Sequence, residues 1–95
     1  MNYETAIGKA KTWARSARMT SASASAAYEY ITNMDLAASM YGKEGVQTQL
    51  IYISGNLSSW KGEEAREAKK AIQAKIKELR NPSQAWHLQR HKELE

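Results

Sequence analysis

The chain has 95 residues, a formal net charge of +4, eight aromatic side chains and no Cys. That length suits one domain with a modest core, and the lack of Cys excludes disulfides and thiol chemistry. A pI near 9.4 favours acidic partners but is too mild to select nucleic acid.

Six Leu, six Ile and one Val are set against fifteen Ala and no Phe. Few branched aliphatics combined with a small net charge predict a folded chain with a thin core, built from closely approaching Ala-rich helices. Oligomerisation is one way for so thin a core to bury more surface. No stretch reaches the eighteen or more apolar residues of a membrane span. The N-terminal segment is polar and amphipathic, unlike a secretory signal, so a cytoplasmic protein without membrane association is expected.

The first helix is predicted from about Tyr3 to Arg18, with Tyr3, Ile7, Ala10, Trp13, Ala14 and Ala17 on an apolar arc. Beside the arc, Lys11, Arg15 and Arg18 recur at i, i+4 and i+7 and form one basic stripe. Two readings apply: a solvated face whose cations suit a helix C-terminus, or a contact for phosphates or an acidic protein.

Thr20 or Ser21 can cap a second helix, which the spacing carries on to about Tyr41, where Gly42 stops it. One stripe holds Ala24, Ala27, Tyr28, Ile31, Met34, Ala38 and Tyr41; another holds Ala26, Tyr30, Ala37 and Met40. Two stripes require either a central helix or a shared one, so a homodimer through Tyr30, Ala37 and Met40 is expected. Asn33 or Asp35 could instead cap a separate, shorter helix. Gly42-Lys-Glu-Gly45 is predicted as a loop.

The most apolar run is Val46 to Trp60. Val46, Leu50, Ile53, Leu57 and Trp60 follow one another at steps of four, three, four and three, along one helical face. Ile51 and Tyr52 widen that face, which predicts neighbours on more than one side. A fourth helix is predicted from Trp60–Glu63 to Arg80, with Ala65, Ala68, Ile72, Ile76 and Leu79 as a narrow seam. Its Glu63, Glu64 and Glu67 come early and its lysines late, an order that complements the helix dipole. The short connection predicts that helices three and four form an antiparallel hairpin carrying the core.

Pro82 can open a fifth helix, so residues 82–95 are either a peripheral helix anchored by Trp86 or a frayed tail. His87 and His91 stand at i, i+4, a spacing that suits a metal, yet no third protein ligand fits except Glu95 beside a junction-like Leu94-Glu95. No metal site, cofactor or catalytic residue is therefore assigned. No Gly-rich phosphate loop, nucleophile elbow or triad spacing occurs.

The run Tyr52-Ile53, Asn56-Leu57, Trp60-Lys61-Gly62-Glu63-Glu64-Ala65-Arg66 resembles a pattern of small uncharacterised bacteriophage and prophage proteins. The resemblance covers about fifteen residues; it implies an accessory protein made in a bacterial cytoplasm and transfers no active site. The expectation is an all-α bundle of four helices in a single domain, with a candidate fifth, about 12 Å in radius of gyration. Small size and the absence of catalytic patterns favour a non-enzymatic protein-binding module, such as a phage-encoded regulator or inhibitor of a host protein. The alternative is a small nucleic-acid-binding protein using the basic face of helix one.

Overall fold

A computed structural model describes residues 1–80; the candidate fifth helix, His87 and His91 lie outside the described residues. Asn2 opens α1 (Tyr3–Ala17), its side-chain oxygen accepting from the Thr5 amide at 2.8 Å. Ser21 does the same for α2 (Ala22–Thr32), accepting from the Ala24 amide at 3.2 Å. Each cap satisfies a donor that the first helical turn leaves unpaired. Next come α3 (Met34–Gly55) and α4 (Glu63–Glu78).

The protein is an all-α bundle. Each helix packs on the next in sequence, and α4 closes the ring against α1. Lys9 meets Glu64 at 3.3 Å and the Lys75 ammonium lies over the Tyr3 ring, so α1 and α4 run antiparallel. Gln47 donates to the Ile76 carbonyl and Gln73 to the Ser54 hydroxyl, which sets α3 antiparallel to α4 as well. Leu50, Ile53, Leu57 and Ile72 are the largest fully buried side chains. Ala6, Ala10 and Ala14 form a buried ridge on α1, opposite Ala65 and Ala68 of α4.

The hairpin expected to carry the core supplies its four largest fully buried side chains, and the α1 ridge extends that core on a further face. Small side chains let α1 approach α4 closely, and α4 is covered more by α1 than by α3. The thin core is spread over all four helices.

Helix two is not continuous to Tyr41. Asn33, at φ −90 and ψ 6, ends α2 and starts α3 at once. Its side-chain amide donates to the Glu29 carbonyl at 2.9 Å, and its backbone N–H reaches the same carbonyl. These bonds satisfy the end of α2 and turn the chain. The predicted Gly42–Gly45 loop shrinks to one non-helical residue, Gly42, at φ 62 and ψ −143. Helical structure resumes immediately, so α3 consists of two arms, residues 34–41 and 43–55. At the other end α3 stops at Gly55, and Trp60 reaches the core from a turn rather than from the helix.

The second arm of α3 has neighbours on two sides, as its widened face predicts: Tyr52 stacks on Tyr30 of α2 and Gln47 reaches the Ile76 carbonyl of α4, while Ile51 and Tyr52 stay about half exposed. The radius of gyration is 14.5 Å, larger than the expected value of about 12 Å, and the extents are 46 × 30 × 24 Å. The alanine ridge narrows the bundle, and of the 34–41 arm only Met34 is buried, which leaves that arm outside the core.

Candidate functional site

The first arm of α3 is apolar, exposed and close to a bend. Leu36, Met40 and Tyr41 are 58%, 61% and 67% exposed, although residues of this type are favoured inside. Leu36 and Met40 stand four apart, as do Ala37 and Tyr41, so the four share one helical face.

Two glycines make the bend. The dihedrals of Gly42 lie in a region that residues with a Cβ rarely enter. Gly45 is buried, and a Cβ there would collide with the Ala37 carbonyl oxygen and come within 2.8 Å of the Tyr41 Cβ. The arms therefore meet backbone to backbone, enclosing an open groove of about 400 Å³. Ala37 and Gly45 are its small residues, Leu36, Met40 and Tyr41 its large apolar ones, and Asn33, Glu44, Thr48 and Gln49 its polar margin.

Tyr3 fixes the base of the arm. Its hydroxyl donates to Met34 Sδ at 3.4 Å and the Lys75 Nζ sits 5.2 Å from its ring centre. Burial, then the carboxylates of Glu4 and Asp35, push its phenol above the ordinary value. Across the molecule Lys69 donates to the Trp60 carbonyl at 2.6 Å and ties α4 to the turn before it. Burial, then nearby Lys61, lowers the pKa of Lys69.

The expected interface residues separate. Ala37 and Met40 line the groove together. Tyr30 is half-buried on α2, its ring stacked on Tyr52 with centroids 5.2 Å apart. Gln49 at the groove margin donates to the Tyr30 carbonyl at 3.4 Å, so the tyrosine pair adjoins the groove without lining it. Leu36, Tyr41 and Gly45 were missed as groove residues. The signal available for them was the i, i+4 repeat Leu36–Met40 and Ala37–Tyr41 leading into two closely spaced glycines.

Lys11, Arg15 and Arg18 are all exposed on α1 and at its end, as the stripe requires. Arg18 is engaged within the chain, its guanidinium 5.1 Å from the centre of the Tyr28 ring. Among the described residues no three His, Asp or Glu side chains gather where a metal ion could sit. The groove offers contact to an apolar side chain, and at its margin the Thr48 hydroxyl donates to the Glu44 backbone carbonyl at 2.9 Å. No helix among the described residues is long and apolar enough to cross a membrane. No family model, curated protein or solved structure matches this chain.

Proposed function

We propose that this chain is a non-enzymatic protein-binding module, an accessory protein of a phage or prophage that regulates or inhibits a protein in the bacterial cytoplasm. The observation that carries the reading is the exposed apolar face Leu36–Met40–Tyr41 beside a groove floored by Ala37 and Gly45. A concavity with apolar walls and a polar margin suits an inserted side chain of another protein. The Tyr52–Arg66 resemblance supports the phage assignment.

The test is affinity capture from a nuclease-treated bacterial lysate, with wild-type chain and the Met40→Glu variant as parallel baits. A protein retained by the first and lost by the second is the expected result. Capture that disappears on nuclease treatment, or that ignores Met40→Glu, would remove the reading. Nuclease-sensitive capture that also fails when Lys11 and Arg15 are reversed in charge would favour nucleic-acid binding instead.

A further inference from the structure

We propose that the seam between α3 and α4 carries a second interaction surface, a basic strip that takes an acidic segment of another protein through Arg66, Lys70 and Lys77 and an apolar contact at Ile51. The strip shares no residue with the groove and stands whether or not the groove binds a protein.

Two stripes border the seam. On α4, Arg66, Lys70, Gln73 and Lys77 recur at i, i+4, i+7 and i+11, and all four are exposed. On the second arm of α3, Lys43, Gln47, Ile51 and Ser54 recur at i, i+4, i+8 and i+11. Gln73 donates to the Ser54 hydroxyl and Gln47 to the Ile76 carbonyl, so each stripe borders the other helix. Ile51 lies between these two bonds and is about half exposed. Because the helices are antiparallel, Lys43 falls at the end of the seam where α4 finishes with Lys77 and Arg80. At the opposite end Lys61 comes close enough to Lys69 to add to the effect of burial in lowering its pKa.

The cations of this strip are uncompensated. Among the described residues the ion pairs are Lys9–Glu64 and Lys75–Glu78, both on the side of α4 turned to α1. Glu63 and Glu67 stand in the first turns of α4, and Glu44 belongs to the groove margin. Beyond Glu67 the α3 side of α4 therefore presents lysine and arginine without a carboxylate. Like charges on one helix face repel, and carboxylates laid along the strip would turn that repulsion into attraction.

The apolar residue selects protein over nucleic acid. Phosphates would use the cations but have no use for an isoleucine among them. A single strand would also find no free ring to stack on, since Tyr52 lies on Tyr30 and Trp60 is buried against Trp13. A segment with carboxylates one helical turn apart and an apolar side chain between them meets both features. Arg66 to Arg80 spans roughly 20 Å, the length of about fourteen helical residues.

The experiment is fluorescence anisotropy of the full 95-residue chain with labelled probes at low salt. One probe is a helical peptide of Glu and Ala with a Leu stripe; a second has Ala in place of Leu; a third is duplex DNA of the same net charge. The Leu peptide should bind most tightly and release as salt rises. Lys70→Glu with Lys77→Glu should weaken it at least about tenfold. Lys11→Glu with Arg15→Glu, the same change in net charge on α1, should weaken it by about threefold or less. Ile51→Ser should reduce the Leu peptide to the affinity of the Ala peptide. Far-UV circular dichroism checks that each variant is folded, and carbodiimide coupling of the Leu peptide to wild type should place cross-links at Lys70 and Lys77. Equal losses in the two charge-reversed variants overturn the proposal, as do equal affinities for the two peptides, tighter binding of the duplex, or cross-links confined to α1. Met40→Glu should leave the peptide bound, so the strip and the groove fail or stand separately.

Discussion

Trp13 and Trp60 stack with ring centroids 5.7 Å apart and planes 17° from parallel, fastening the second half of α1 to the turn that leads into α4. The two are distant in sequence, and Trp60 is almost fully buried. Trp60→Ala should cost about 3–5 kcal/mol in urea denaturation. A double-mutant cycle with Trp13→Ala should return a coupling of about 0.5–1.5 kcal/mol for the stacked pair. Simple additivity would show that the two rings are neighbours without being partners.

Leu50 and Ile51 are adjacent in sequence and opposite in environment. Leu50 is fully buried and Ile51 half exposed. Leu50→Ala should cost about 2–5 kcal/mol, and Ile51→Ala about 0.5 kcal/mol or less. Equal losses in chemical denaturation would mean that the face of α3 turned to the core is misplaced.

The glycines separate by environment. Gly42→Ala forces a Cβ into a strained conformation and should destabilise by about 1–3 kcal/mol; Gly45→Ala should cost at least as much, because it strikes the Ala37 backbone. Gly8 lies inside α1 with open space around its Cβ position, so Gly8→Ala should stabilise by about 0.5–1 kcal/mol. Thermal unfolding of the three variants checks the order.

Tyr3 should give the protein a pH dependence in the alkaline range. Its phenol is held above the ordinary value of 10.0 by burial first, then by Glu4 and Asp35. The unfolded chain therefore loses this proton before the folded one does. The stabilisation is fully present below about pH 10 and is lost as pH rises through the folded value. The stability difference between wild type and Tyr3→Phe should accordingly shift in favour of the variant above pH 10. A difference independent of pH across that range would remove the assignment.

Nucleic-acid binding, if any, should be weak. With Arg18 lying on Tyr28, Lys11 and Arg15 remain of the stripe. Two phosphate contacts give a slope of log affinity against log salt of about −1.8 on duplex DNA, against about −2.7 for three. Fluorescence anisotropy at physiological salt should show no complex tighter than about 10⁻⁵ M. A sub-micromolar complex would reverse the ranking of the two functions.

The helical class and most of the core were legible in the sequence, because both rest on local spacing. Leu50 and Ile53 repeat at helical intervals and are buried, and Leu57 continues the spacing into the buried turn after α3; Ala65, Ala68, Ile72 and Ile76 do the same on α4. Ser21 could be read as a cap because a side-chain oxygen three residues before an unpaired amide needs only local geometry. Even the two apolar stripes across Asn33 announced that some apolar surface would lie outside a four-helix core.

Only the tertiary structure decided where the chain bends and which stripe stays exposed. Asn33 read as one candidate cap and Gly42 as a helix stop, but one became a junction between helices and the other a bend within one. The difference depends on Gly45 meeting Ala37 eight residues away, a contact that no local spacing encodes. Tyr30 belonged to the same stripe as Ala37 and Met40, yet it turned to Tyr52 while they lined the groove. Periodicity assigns a residue to a face of its own helix; what covers that face is settled by the packing of segments distant in sequence.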